Sequence, residues 1–330
     1  MAAILEKLNK PALVLCANKT LAAQLARELR FYLPNNRVEY FVSYYAYYRP
    51  EAFMPSQDTY IEKQSTIDKT LDALRHRATA SLLDRRDVVV VSSVSCLYGL
   101  GMPDSYLNAR LHLCVGDEVN AQDLLAKLNH IQYEDRSGLT QRKPLEQGQY
   151  EVNERRLRIW PPHEDTPLNI ELSDDGFVKS VTTIPQDDDS TGEERAAAVI
   201  YPARHFVTQP EQLQAACEAI RQEMETQRRH FEKMFRFDVA DRLEKRVSED
   251  IERLRLDEFC PGMENYSRHL AGRKPGDAAH ISRRLPRVGT STLVHDVHPT
   301  TRSRPTLVLR RSSPRPGWDG VSHFVSHFLG

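Results

Sequence analysis

The sequence predicts an α/β protein, and the evidence is an alternation of buried strands with amphipathic helices. Residues 11–16 and 87–93 form short, continuous apolar runs, as expected for strands buried on both faces of a parallel sheet. Residues 38–43 give a further strand candidate, and leucines recur at helical spacing after residue 20. Strand–turn–helix units of this kind predict a parallel sheet covered by helices.

The next elements follow from the same reasoning. Residues 61–83 carry Ile67, Leu71, Leu74 and Ala78 on one face of a predicted helix. Short alternating stretches over residues 150–160, 170–172 and 177–181 are separated by Gly, Pro and Asp clusters and predict a small, mostly β insertion domain. From residue 211 to 259 the pattern is helical, with Leu243, Val247 and Ile251 spaced by four.

These patterns predict four parts of the chain. The expected boundaries are a partial first domain at 1–106, a β-rich insertion domain at 107–205, a helical segment at 206–277 that returns to the first domain, and an aberrant tail at 278–330.

Composition limits the class of protein. Hydrophobic residues make up 40% of the 330 residues and charged residues 28%, which is typical of a soluble globular protein. No apolar run approaches bilayer length, and the first residues lack a secretion-signal pattern. The five scattered cysteines favour a reducing compartment. We therefore expect a cytoplasmic protein with no membrane partner.

The charge distribution separates the tail from the body. Residues 279–330 contain eight Arg and two Asp but no Lys or Glu, which leaves 37 basic and 44 acidic residues in the body. A body of this charge is not a globally basic nucleic-acid binder, so any DNA contact must be local. The abrupt change in composition leads us to expect a tail that is read out of frame. The open alternative is an in-frame basic extension that is disordered.

Residues 40–60 are unusually rich in aromatic side chains, with eight in twenty-one positions. Pro50 and Pro55 exclude a regular helix there. Exposed aromatic rings on such an excursion are suited to stacking on nucleobases or wedging between them. A tyrosine-rich strand pair packed on the core is the alternative.

Two polar stretches follow predicted strands. Asn18, Lys19 and Thr20 lie where a strand meets a helix, and Ser93 follows the valine-rich strand. Backbone N–H groups and a lysine at such positions bind phosphates of a DNA backbone, although an ordinary helix cap explains residues 18–20 equally well.

The sequence contains no recognisable catalytic or metal-binding motif. It has no GxxxxGK[ST] phosphate loop, no GxSxG elbow and no histidine spacing typical of a metal site. We therefore assign no catalytic residue and no metal ligand.

Five stretches together resemble one family. They are NKTLAAQL at 18–25, VEYFVSYY at 38–45, DTYIEK at 58–63, SVSCLYGLG at 93–101 and GMENYSRHL at 262–270. The chain resembles the UvrB family, the damage-verifying subunits of the bacterial UvrABC nucleotide excision repair system.

The resemblance implies a helicase-like first domain and a flexible β-hairpin at about 40–63 that clamps one DNA strand. It implies that Tyr44 and Tyr45 probe the damaged nucleotide, with Tyr47 and Tyr48 near the hairpin base. Phe53 and Tyr60 match aromatic positions that hold the hairpin down, and Lys63 lies in the same DNA-binding segment.

The same resemblance implies ATP and Mg²⁺ as cofactors and UvrA and UvrC as partners, but the chain departs from the family pattern. Its ATP-binding loop and DExH box are missing, so we expect neither cofactor to bind productively. Gln147, Glu151 and Asn153 stand where the resemblance implies arginines that dock to UvrA, which puts that docking in question.

The leading hypothesis is a truncated UvrB-like subunit that recognises DNA damage and has lost ATPase activity. The alternatives are the UvrB-like module of a transcription–repair coupling factor, which lacks the tyrosine clamp, and a non-functional pseudogene fragment.

Overall fold

The computed structural model describes most of the chain. The described residues are 1–49, 52–54, 59–61, 64–94, 103–138, 144–185, 192–208, 210–260, 262–273 and 291–294.

Helices and strands alternate in the first third of the chain and separate into a β-rich part and a helical part afterwards. The helices are α1 (Ala2–Leu8), α2 (Lys19–Tyr32), α3 (Lys69–Asp84), α4 (Pro103–Asn108), α5 (Ala121–His130), α6 (Pro210–Lys233), α7 (Phe237–Asp257) and α8 (Ser267–Leu270). The strands are β1 (Ala12–Leu15), β2 (Arg37–Phe41), β3 (Tyr45–Arg49), β4 (Ala52–Met54), β5 (Thr59–Ile61), β6 (Gln64–Ile67), β7 (Val88–Ser92), β8 (Leu111–Cys114), β9 (Glu134–Asp135), β10 (Gln149–Asn153), β11 (Arg156–Ile159), β12 (Leu168–Leu172), β13 (Val178–Thr183), β14 (Glu194–Arg195), β15 (Ala197–Ile200) and β16 (Ser291–Val294).

The first domain is built on a parallel sheet in the order β16-β1-β7-β2. Helices cover both faces, because successive side chains of a strand point to opposite sides. Val89 of β7 lies in the apolar cluster that α2 completes, and Val90 lies in the cluster that α3 completes. The continuous valine run is therefore buried on both faces, and the predicted parallel α/β sheet is confirmed.

Helix α3 begins later than its apolar spacing predicts. The sequence favours a helix from residue 61, but residues 64–67 form β6 and the helix begins at Lys69. Asp68 caps it, because its carboxylate accepts hydrogen bonds from the N–H groups of Thr70 and Leu71. The prediction was wrong for these first residues because Ile67 pairs with Tyr45 of β3 instead of joining the helix.

The insertion domain is mostly β, as the sequence predicts. Its main sheet has the order β14-β13-β12-β11-β10-β9 and is antiparallel except between β9 and β10. Strands β8 and β15 pair separately. Helix α5 contributes Leu128 to a core that includes Ile159 and Ile170, all three with no exposed surface.

The helical segment contains a pair of long helices where the sequence pattern gave one continuous helical region. Helices α6 and α7 pack together, and three residues connect them at Met234, Phe235 and Arg236. Phe235 adopts a left-handed backbone conformation with φ of 58° and ends α6 sharply. The predicted stripe is confirmed as core packing at Val247 and Ile251.

The expected tail at 278–330 is described only at β16. This strand pairs in parallel with β1, so that Ser291 lies opposite Ala12. The remaining tail lies outside the described residues. Within the described part of the chain, no helix is both long enough and apolar enough to cross a membrane.

Candidate nucleic-acid interface

Three polar segments meet at the carboxyl edge of the parallel sheet. Strand β1 leads into Asn18, β2 into Tyr44 and β7 into Ser93. Backbone hydrogen bonds join the exits: the Cys16 N–H donates to the Ser92 carbonyl at 2.7 Å, and the Ser93 N–H donates to the Phe41 carbonyl at 3.3 Å. Ligands of open α/β sheets bind outside this edge, where the strands end.

The start of α2 uses its polar residues to stabilise the protein itself. The Asn18 side chain accepts a 2.9 Å hydrogen bond from the Leu21 N–H, which is the helix-cap role that the sequence left open. Lys19 Nζ donates to the Tyr45 carbonyl at 3.1 Å. The Tyr40 hydroxyl donates to the Lys19 carbonyl at 3.0 Å. Thr20 is exposed at the first turn of the helix.

The tyrosine segment forms a β-hairpin that projects from this edge. Strand β3 pairs antiparallel with β6, from Tyr45 opposite Ile67 to Arg49 opposite Gln64, with a register shift between Tyr45 and Tyr47. The described hairpin strands run from Tyr45 to Ile67, so Tyr40 belongs to the central sheet and not to the expected hairpin range of 40–63.

The outer part of the hairpin contains several predicted site residues. Strand β4 pairs with β5, which places Phe53 opposite Tyr60 on adjacent strands. Tyr47 is 50% exposed, and Tyr48 lies opposite Ser65 in the ladder. Lys63 lies outside the described residues.

Tyr44 and Tyr45 lie together at the hairpin root. Their ring centroids are 4.6 Å apart and their planes are tilted by 34°, and both residues are half-buried. The Asp68 N–H donates to the Tyr44 carbonyl at 2.8 Å, which joins the two ends of the hairpin. Ser93, whose N–H donates to the Phe41 carbonyl, is buried at 5% exposure.

Comparison with known proteins shows that the chain is similar to UvrB proteins. The UvrB interaction domain model matches residues 111–206, and the UvrB third helical domain model matches residues 211–272. The UvrABC system protein B of Gloeothece citriformis is 48% identical over 279 residues, covering 84% of this chain and 41% of the relative. Those of Gloeobacter violaceus and a Nostoc species are 47% and 46% identical over 281 and 282 residues, covering 84% of this chain and 40% and 41% of the relatives.

The chain is similar to UvrB proteins over 84% of its length. It spans about two fifths of the length of the curated UvrB relatives that it matches, 41% in the case of Gloeothece citriformis.

A polar junction adjoins the hairpin root and escaped the sequence prediction. Ligand atoms of Asp72, His76 and His205 lie within 4.8 Å of one another, and the two imidazole rings stack with centroids 3.9 Å apart. His76 Nδ1 is 3.0 Å from the Tyr106 hydroxyl, and His205 Nε2 is 3.2 Å from the Thr79 hydroxyl. No sequence spacing reveals this cluster, because His205 lies 126 positions after Thr79.

The charge at this junction is mixed. Burial raises the pKa of the Asp72 carboxyl, and the positive charges of Arg75 and Arg204 partly offset that rise. Two guanidinium groups beside one carboxylate make this a poor place for an additional cation. The same groups line a small cleft together with Tyr44 and Phe259, so the junction joins the hairpin root to the helical segment.

The part of the chain that matches the UvrB interaction domain pairs β10 with basic side chains of β11. Glu151 lies directly opposite Arg158 of β11, and Arg158 Nη1 donates to Glu151 Oε1 at 2.6 Å. Asn153 is exposed opposite Arg156, and Gln147 Nε2 donates to the Glu164 carbonyl at 3.2 Å. Of the two paired strands β10 and β11, β11 therefore supplies the basic side chains, Arg156 and Arg158.

Proposed function

We propose that this chain recognises and verifies DNA damage as a UvrB-like subunit of the UvrABC excinuclease in nucleotide excision repair. The observation that carries the proposal is the Tyr44–Tyr45 ring pair at the root of a hairpin on the carboxyl edge of the sheet. A lesion changes how a base stacks or leaves the helix. Aromatic rings at a fixed position respond to that change by stacking.

The hairpin clamps one DNA strand against the first domain. Tyr47 is the most accessible described tyrosine of the hairpin, at 50% exposure. We assign Tyr48, Phe53, Tyr60 and Lys63 to the same DNA-binding face, as the family resemblance implies. Cross-strand pairing of Phe53 with Tyr60 supports a shared role for these two rings.

We assign contacts with the phosphates of the DNA backbone to residues at the start of α2 and at the end of β7. Asn18 and Thr20 are exposed at a helix N-terminus, where the helix dipole favours an anion. Lys19 adds a positive charge between the helix and the hairpin. Ser93 lies at the same edge, directly after β7. Its own N–H already donates to the Phe41 carbonyl.

ATP and Mg²⁺ are the cofactors that the family implies, and we keep the expectation that neither binds productively here. In the described residues, Asn18 caps α2 after β1, and no glycine-rich phosphate loop occurs there. The proposal therefore assigns the nucleotide no step.

UvrA and UvrC are the partners that this function requires. We infer that docking to UvrA through β10 is weakened, because Glu151 introduces a negative charge where an arginine is expected and pairs with Arg158. The proposal places the protein in the cytoplasm with its DNA substrate.

Fluorescence anisotropy with the full chain tests the function. A duplex carrying one bulky lesion and an identical undamaged duplex are titrated with the wild type and with the double variant Tyr44→Ala/Tyr45→Ala. We expect the wild type to prefer the damaged duplex and the double variant to lose that preference, at about 1–3 kcal/mol per stacked base. Equal affinity of the wild type for both duplexes would exclude damage recognition by this chain.

A further inference from the structure

Arg75 of α3 contacts two aromatic rings at the hairpin root. Its guanidinium carbon is 4.3 Å from the centroid of Phe41 and 4.8 Å from that of Tyr44. Arg75 is only 3% exposed. Both distances are short enough for a cation–π contact, so one buried guanidinium interacts with two rings.

The same side chain also fixes the backbone between these rings. Arg75 Nη1 donates a 2.9 Å hydrogen bond to the Val42 carbonyl. Arg75 thus contacts Phe41 at the end of β2, the following residue, and Tyr44 just before β3. These contacts span the connection through which the hairpin leaves the sheet.

A line of charges extends from Arg75 to the helical segment. Asp72 lies one turn earlier on α3 and interacts electrostatically with both Arg75 and Arg204. The Arg204 guanidinium carbon lies 4.6 Å from the centroid of Phe259, just after α7. The orientation of Arg75 is therefore set by α3 and by the charges beside it, and not by the hairpin alone.

We propose that Arg75 is a positioning residue that holds the Tyr44 ring in the orientation in which it meets DNA. This inference rests on the proposed function, because it assigns a role within the same DNA-contacting hairpin. Lysine cannot replace arginine here, since a compact ammonium group lacks the planar fork that contacts both rings and also reaches the Val42 carbonyl.

The first test examines the ring itself without DNA. 3-Fluorotyrosine is placed at position 44 of the full chain, and its ¹⁹F resonance is compared between the wild type, Arg75→Lys and Arg77→Lys. Arg77 lies on the same helix and bonds to Asp165, so it is the matched control. We expect Arg75→Lys to move the resonance toward that of the same label at the exposed position 47. Arg77→Lys should leave the resonance unchanged.

Phe41→Leu provides a second variant if Arg75→Lys does not fold. This substitution removes the Phe41 ring that Arg75 also contacts. It is expected to shift the ¹⁹F resonance of the label at position 44. A resonance at position 44 that stays in place in the folded variants would overturn the proposal.

The second test is a double-mutant cycle on binding to the lesion duplex. Arg75→Lys is expected to weaken binding about threefold to tenfold when Tyr44 is present. In the Tyr44→Leu background it should have no further effect, because the ring that it positions is gone. An equal loss in both backgrounds would mean that Arg75 acts independently of Tyr44 and would overturn the proposal. If the wild type does not bind DNA at all, the proposed function fails, and the ¹⁹F comparison still decides the role of Arg75.

Discussion

Lys19 Nζ donates a 3.1 Å hydrogen bond to the Tyr45 carbonyl and so ties the first turn of α2 to the first residue of the hairpin. Lys19 is half-buried, so this contact is sheltered from water. The hairpin root is therefore held from two sides, by Lys19 of α2 and by Arg75 of α3. Both contacts lie outside the hairpin's own strand pairing.

Replacing Lys19 should loosen the hairpin without unfolding the domain. Lys19→Met removes a charge-assisted hydrogen bond that contributes on the order of 1.5–3 kcal/mol. We expect faster amide hydrogen exchange in β3 and β6 and little change in β7, because the core strand does not depend on this contact. Lys10→Met is the control, since Lys10 is exposed and precedes β1. Unchanged exchange in the hairpin of Lys19→Met would contradict the role assigned to this bond.

The Asp72 carboxyl should make stability depend on pH in an unusual direction. Because burial raises its pKa in the folded state, the native protein binds this proton more readily than the unfolded chain. Its contribution is therefore most favourable below its unfolded pKa of about 3.9 and is lost as the pH rises through the folded pKa. Asp72→Asn, which cannot ionise, should gain in Tm relative to the wild type between pH 4 and 7.

The Asp72 experiment needs a control on the same helix, because His76 and His205 lie in the same junction as Asp72. Asp68→Asn is the control, because it also removes one carboxylate from the start of α3. Asparagine caps a helix as well as aspartate does, so this variant should keep the helix cap. A Tm difference between Asp72→Asn and the wild type that stays constant with pH, or falls as the pH rises, would refute the assignment.

A charge exchange in the interaction domain should strengthen docking to UvrA. The double variant Glu151→Arg/Arg158→Glu reverses the direct cross-strand pair, so the strand pairing is kept while an arginine is placed on β10. We expect tighter binding to UvrA in surface plasmon resonance, with an unchanged Tm. The single variant Arg158→Glu is the control, because it adds negative charge without the arginine. Equal UvrA affinity of wild type and double variant would show that position 151 does not control docking.

The interaction domain should melt cooperatively and depend on its buried core. Ile170 has no exposed surface, so Ile170→Ala is expected to lower the free energy of unfolding by about 2–5 kcal/mol. Val115→Ala, at a position 46% exposed, should change it by less than about 0.5 kcal/mol. Urea unfolding followed by circular dichroism measures both. A broad transition in the wild type would favour the alternative of a fragment that no longer folds stably.

The parallel sheet, the β-rich insertion domain and the helical segment were predictable from the sequence because hydrophobic periodicity is a local signal. The valine run at 88–91 and the alternation across β10 to β13 depend only on neighbouring residues. The start of α3 was missed because the spacing of Ile67 and Leu71 fits a helix, whereas Ile67 is paired with a distant strand. Long-range pairing overrode the local pattern.

The candidate site was predictable only in part for the same reason. The tyrosine segment is unusual in itself, so the sequence makes Tyr44 and Tyr45 candidates, and the family resemblance implies their roles. Arg75 and His205 carry no local signal. Their importance arises from packing among α3, the hairpin root and the end of the insertion domain, which brings His76 and His205 into a ring stack.

Site-specific photocrosslinking tests whether the hairpin contacts one strand of damaged DNA. p-Benzoylphenylalanine is placed at position 47 of the hairpin or, as a control, at Phe177, which is 42% exposed in the interaction domain. The full chain is then irradiated with duplexes labelled on either strand. The account predicts a crosslink from position 47 to one strand near the lesion and none from position 177. Equal crosslinking from both positions, or to both strands of undamaged DNA, would contradict a DNA-clamping hairpin.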